Sequence, residues 1–213
     1  MKRTAVCFIC ISFLVVASCK LFLNSDSSLY HKCFFIAEDS FDIEGEIFVN
    51  DALTAKADFE KITVKAGLKG WETEGSKTSG NKYALTVNTT SNGITLTPAE
   101  NAAYKKKELD LDSYISILDF PYVLTFYVDG RTTRNAISPA LGNYYFVYIP
   151  ESANLSRKFV EDVDSVWGDY TSYTYYDYNF SKPGWYKIYS SEKPIGNNSA
   201  YSSGKNTIIR APE

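Results

Sequence analysis

The chain has 213 residues, of which 45% are hydrophobic, 22% charged and 15% aromatic, enough apolar material for a packed core and too much for wholesale disorder. Its 22 basic and 25 acidic residues leave a net charge of -3, which weighs against a nucleic-acid binder, since such a protein needs basic surface to neutralise phosphates. One histidine, four cysteines and one methionine supply little for histidine-based catalysis or a transition-metal site, so neither a metal nor a cofactor is expected.

At the N-terminus, Lys2 and Arg3 precede an apolar stretch from Ala5 to Val16, closed by Val16-Ala17-Ser18-Cys19. A run of this length falls below the roughly 18 residues that cross a bilayer as a helix, and it has the form of an export signal. These residues resemble the leader of bacterial lipoproteins, whose lipobox is an aliphatic residue, two small residues and a cysteine. Val16, Ala17, Ser18 and Cys19 fill those four positions. The resemblance covers the leader alone. It implies removal of residues 1–18, a diacylglycerol on the Cys19 sulfur, and a membrane partner engaged through that lipid. One acyl chain binds only marginally, whereas two or three hold stably. Lys20 follows, and in envelopes that sort by an Asp at this place a Lys implies passage to the outer membrane. A second processing route stays open, because Val16 and Ser18 also suit an ordinary signal peptidase. Cys19 is then a plain thiol that can pair with Cys33 in an oxidising compartment. On either route Cys7 and Cys10 leave with the leader, so their CxxC spacing is not a metal or redox motif.

Residues 19–33 read as the lipidated cysteine and a tether rich in Ser, Asn and Asp, with His31 as a solvated linker residue. Residues 34–213 read as a β-rich ectodomain, with a sub-boundary near residue 119 left open. Period two dominates here: Ile62, Val64 and Ala66 alternate with polar neighbours, as do Tyr83, Leu85 and Val87. Asn92-Gly93 and Asp129-Gly130 are hairpin turn signals, since both residues of each pair tolerate positive φ. Tyr144 to Ile149 is apolar on both faces and predicts a central strand. Trp185 to Tyr189 and Thr207 to Ile209 predict two more.

Two segments read as helices. Thr97-Pro98-Ala99-Glu100 has a Thr N-cap, Pro at the first helical position and Glu three residues after the cap, and opens a short helix toward Lys107. Lys105-Lys106-Lys107 suits the negative end of its dipole. Leu155, Phe159, Val160, Val163, Val166 and Trp167 fall at helical spacing, with Gly168 as the stop. The fold class expected is therefore mainly β, an antiparallel β-sandwich-like ectodomain with one or two short helices.

The C-terminal third is rich in tyrosine. Alternation puts Tyr173 and Tyr175 on one face of a strand and Tyr176 and Tyr178 on the other, with Trp185 following. Such rings suit a sugar, whose C–H face stacks on an aromatic, or a protein partner. They equally suit a sheet stabilised by cross-strand aromatic pairs. Tyr173, Tyr175, Tyr176, Tyr178 and Trp185 are the candidate ligand-binding residues.

No nucleophile elbow, Walker loop, dinucleotide fingerprint or zinc-protease motif occurs, so no catalytic residue is assigned. Asp110 and Asp112 flank Leu111 on an expected strand, while Asp162 and Asp164 sit on the expected second helix. Both pairs read as solvated acids. The function expected is a membrane-anchored bacterial envelope lipoprotein, a non-catalytic binding or structural module for carbohydrate or a protein partner, without nucleic acid. The alternative is a carbohydrate-active hydrolase on the same β scaffold, which needs two carboxylates beside the aromatic rings.

Overall fold

Alternation at Ile62–Ala66 and Tyr83–Val87 becomes paired strand in both places, with the apolar side chains of each set on the dry face. The computed structural model describes residues 26–49, 55–66, 71–88, 102–133, 137–138, 142–164, 169–197 and 204–210. The leader, Cys19, the Asn92-Gly93 turn and the Thr97-Pro98 helix start lie outside the described residues.

The described strands begin with β1 (Ser27–Phe35), β2 (Ser40–Phe48), β3 (Ile62–Ala66), β4 (Trp71–Ser79) and β5 (Lys82–Asn88). Helix α1 (Ala102–Leu109) and a single 3-10 turn at Ile117–Asp119 come next. The hairpin of β6 (Leu124–Val128) and β7 (Arg131–Thr132) leads to β8 (Ile137–Ser138) and β9 (Gly142–Ile149). Then follow β10 (Ala153–Asn154), β11 (Arg157–Val163) and β12 (Tyr170–Asp177). The last are β13 (Asn179–Phe180), β14 (Gly184–Ser191) and β15 (Gly204–Arg210).

Thirteen strands form one sheet in the order β11-β12-β1-β14-β9-β8-β15-β2-β5-β4-β3-β6-β7, and β10 pairs with β13 in a small ribbon. Pairing is antiparallel except that β1 runs parallel to β12 and β15 parallel to β2. The sheet curls until Val123 bridges Val147 of β9, and the Tyr148 N–H donates to the Tyr122 carbonyl at 2.8 Å. The strands from β9 round to β6 thereby face one another across an interior that includes Ile43, Ile47, Ile62, Val64, Leu85, Phe126 and Phe146. The mainly β, sandwich-like architecture expected from the period-two pattern is found, with one α-helix among the described residues. Strands on both sides of residue 119 share the sheet: β6 lies beside β3, and β15 beside β2.

A second core lies on the opposite face of β9 and β14. There Val147, Ile149, Tyr186 and Ile188 pack under Tyr104 of α1, Ile115, Phe120, Tyr178 and Phe180. β9 is buried on both faces because it stands between the two cores, which is why its sequence shows no alternation. The Asp129-Gly130 turn takes φ of 49° and 78°, as a two-residue hairpin requires. The Asp129 carboxylate also accepts the N–H groups of Glu60 at 3.0 Å and Lys61 at 2.8 Å, tying the β6–β7 hairpin to the chain entering β3.

On β4, Gly75 is required by close approach. A Cβ there would stand 2.7 Å from Cγ2 of Ile62 and 2.8 Å from Cβ of Leu85. Both neighbours are core residues that cannot yield cheaply, so Gly75→Ala is expected to cost about 1–3 kcal/mol of stability, read as a lower urea midpoint at unchanged slope.

Three expectations are corrected. Residues 155–164 do not form a helix: Arg157–Val163 is strand β11, paired with β12 from Arg157↔Tyr176 to Val163↔Tyr170, and the rest of the expected helix lies outside the described residues. Phe159, Val160 and Val163 favour strand, and β12 offers a full edge of backbone donors and acceptors. The expected tether does not reach residue 33, because Ser27–Phe35 is strand β1, hydrogen-bonded between β12 and β14. Asp110 and Asp112 lie in the turn after α1, where the Ser113 N–H donates to the Asp110 carbonyl, and not on a strand.

Candidate functional site

Register fixes which tyrosines share a face. Lys158 of β11, Tyr175 of β12, Tyr30 of β1 and Ser191 of β14 stand opposite one another in a row across four strands. Val160, Tyr173 and Ser28 form the next row. The Tyr30 and Tyr175 rings stack at 4.9 Å with an interplanar angle of 8°. The Lys158 ammonium lies 4.1 Å from the Tyr173 ring centroid and 5.5 Å from that of Tyr175. Tyr30, Tyr173 and Tyr175 are half-buried, and Lys158 is exposed. At the end of this face Lys32 pairs with Asp177.

The other rings singled out from the sequence lie inside. Tyr176 and Tyr178 belong to the second core, and Trp185, 2% exposed, belongs to the first. The structure thus brings Tyr173 and Tyr175 together on the outer face and separates them from Tyr176, Tyr178 and Trp185. A strand aromatic on both sides needs no bulge here, because one side is core and the other is an open row. Burial pushes the Tyr176 and Tyr178 phenols well above the ordinary tyrosine range, and the Tyr176 hydroxyl accepts the Ile115 N–H at 3.1 Å. Tyr30 and Lys158 were hidden from the sequence reading by their assignment to a tether and a helix.

His31 and Cys33 share the inner face of β1. The His31 ring stacks on Tyr176 at 5.0 Å and meets the edge of Tyr178 at 6.0 Å, while its buried Nε2 has no hydrogen-bond partner. The ring is half-buried against these tyrosines and not a solvated linker as expected, and burial lowers its pKa to about 4. Burial, with the Asp177 carboxylate adding to it, pushes the Cys33 thiol up to about 12. Neither group carries the charge that a thiolate–imidazolium pair needs near neutrality.

Because the unfolded chain protonates His31 near 6.5 and the folded chain only near 4, stability is expected to fall as pH drops between those values. The interval corresponds to roughly 3 kcal/mol. His31→Phe, which keeps a ring between the tyrosines, is expected to flatten this acid limb in urea titrations. An unchanged limb would place its origin elsewhere.

Lys187 of β14 points into the first core, opposite Phe34 of β1 and Phe146 of β9. Its ammonium lies 4.0 Å from the Tyr144 ring, 5.0 Å from Tyr189 and 5.3 Å from Phe146. Desolvation lowers its pKa to about 7.

A second pair of acids, Glu44 and Glu46, stands apart from the tyrosine row. A cleft of about 350 Å³ on β2, β4 and β5 is lined by Glu44, Glu46, Thr78 and Lys82, with Glu46 directly opposite Lys82. Between β2 and β12 lie five strands of the sheet. Asp162 of β11 accepts from the Thr171 hydroxyl at 3.1 Å. Among the described residues no group of three or more His, Cys, Asp or Glu is placed to hold a metal ion. No family model, curated protein or solved structure matches the chain.

Proposed function

We propose that the chain is a lipid-anchored bacterial envelope protein, held by Cys19 and destined for the outer membrane. Its β domain is a non-catalytic binding module that presents the Tyr30, Tyr175 and Tyr173 rings to carbohydrate or to a protein partner. The lipobox supports the anchor. The observation that carries the binding role is the registered row of Lys158, Tyr175, Tyr30 and Ser191 on the outer face. Stacking fixes the Tyr30 and Tyr175 rings in advance, so a ligand meets them with little loss of rotamer freedom. Tyr175 lies between Tyr30 and Lys158, whereas beyond Tyr30 the row continues with the small Ser191. A sugar ring therefore extends the stack on the Ser191 side of Tyr30, with Lys158 and the phenol hydroxyls at its margin.

A glycan array probed with the mature chain tests this reading. Tyr30→Ala and Tyr175→Ala are each expected to weaken a positive signal on the order of tenfold, about 1.4 kcal/mol, while the melting temperature moves little. Binding that survives both substitutions would remove the row as the site. Metabolic labelling with a clickable fatty acid tests the anchor, and undiminished labelling of Cys19→Ala would defeat it.

A further inference from the structure

Large apolar side chains left in the open are concentrated in one short segment. Leu109 is 90% exposed, Leu111 63%, Tyr114 48% and Leu118 87%, and among the described residues the one other large apolar side chain so exposed, Val160, lies on β11. The backbone that displays them is fixed. The Lys107 ammonium donates to the Tyr114 carbonyl at 2.8 Å and lies 3.7 Å from the Asp119 carboxylate. Arg157 of β11 donates from its guanidinium to the Lys107 carbonyl and, at 2.6 Å, to the Ser113 carbonyl. Ser116 caps the 3-10 turn by accepting the Leu118 N–H at 3.2 Å, and Asp119 accepts the Ser116 N–H at 2.7 Å. A clustered apolar display on so firmly held a loop marks an interaction surface.

We infer that Leu109, Leu111 and Leu118 rest in the interfacial layer of a zwitterionic lipid surface, seating the domain on the bilayer that holds its anchor. The inference rests on the lipid-anchored reading of Cys19. Reach favours this occupant. Cys19 and Ser27 are eight residues apart, a span of at most about 28 Å when extended. Ser27 stands opposite Ser172, which stands opposite Glu161. Phe159, whose ring Tyr114 meets at 5.8 Å, is two residues further along β11. Strand spacing therefore places the loop's contact point within roughly 12 Å of where the tether enters the sheet.

Charge selects the kind of lipid. Lys105 pairs with Glu108 at 3.1 Å and Lys107 with Asp119, and the charges of Lys106 and of Arg157, which is bonded to the loop's carbonyls, balance those of Asp110 and Asp112. A rim with no net charge gains nothing from anionic headgroups and suits zwitterionic ones.

The test uses the full mature, lipidated chain reconstituted into phosphatidylcholine vesicles, carrying a nitroxide at Leu118→Cys or, as the remote control, at Lys56→Cys. Cys33, half-buried and with its thiol pushed up to about 12, does not compete for the label. The nitroxide at 118 is expected to be several-fold less accessible to an aqueous relaxant than the one at 56. That shielding is expected to stay the same when an equal part of phosphatidylglycerol is added. Equal accessibility at both sites in vesicle-bound protein would overturn the inference and leave the anchor standing. So would shielding that grows with the protein-to-lipid ratio, which indicates a second copy on the patch, or stronger shielding on the anionic vesicles. A wild-type chain that fails to float with vesicles would overturn the anchor reading and this inference with it.

Discussion

Lys187→Met is expected to raise the urea midpoint at pH 7 and to abolish a rise in stability that the wild-type chain shows between pH 7 and 9. Lys187 is 2% exposed among Tyr144, Phe146 and Tyr189, and desolvation lowers its pKa from 10.5 to about 7. Between those values the unfolded chain holds a proton that the folded chain has released, so stability increases with pH. The cost is complete below pH 7 and amounts to roughly 5 kcal/mol at most, of which about 2 kcal/mol is relieved by pH 9. The window closes above that. Cys33 and Tyr104 are pushed up to about 12, so the unfolded chain loses protons from these groups first and stability turns downward. Methionine matches the lysine stem in length and carries no charge to desolvate, so its variant should be level from pH 7 to 9. A wild-type chain with no slope in that interval would show that Lys187 stays protonated inside.

Trp185→Ala is expected to cost about 3–5 kcal/mol, the range for removing a large aromatic side chain from a packed core. The ring is 2% exposed and meets the edge or face of Tyr148 at 5.5 Å and Phe41 at 6.2 Å. It therefore joins β14 to β9 and β2 across the interior, and its loss opens a cavity where those strands meet. Tyr175→Ala, on the outer face, is expected to change stability by no more than about 1 kcal/mol. Urea denaturation of both variants separates the two roles. Near-native stability of Trp185→Ala together with lost ligand binding would return that ring to the surface and reverse the assignment.

How far the sequence carries the fold is seen in individual elements. Ile62–Ala66 and Tyr83–Val87 announce their strands because one face is dry and the other wet, and Asp129-Gly130 announces its turn because few residue pairs tolerate its dihedrals. β9 was legible as central since polar side chains are missing from both of its faces. β11 was not, because Leu155, Phe159 and Val163 lie four apart, which fits a helix as well as a strand whose pairing supplies the decision. β1 escaped for a different reason: its parallel partner β12 begins at Tyr170, and no local pattern in a Ser- and Asn-rich stretch points that far along the chain. At the candidate site, alternation correctly separated Tyr173 and Tyr175 from Tyr176 and Tyr178. It was silent on which side would be covered, because that depends on α1 and the segment around Phe120 folding over the inner face. Lys187 was illegible altogether, since a cation between two aromatic residues reads as solvent-facing until a second layer closes over it.

The position of β1 has a mechanical consequence. It enters the sheet at Ser27 alongside β12 and runs nine residues to Phe35, paired with β12 over Ser27–Lys32 and with β14 over Tyr30–Phe35. Tension applied at the amino end acts along the strand axis, so the flanking ladders are loaded in shear, many bonds at once, instead of being peeled one by one. A pull at that end is thus shared by a strand on each side of β1. Slippage would have to strip the edges of two neighbours together, which makes this entry point a clamp and not a hinge.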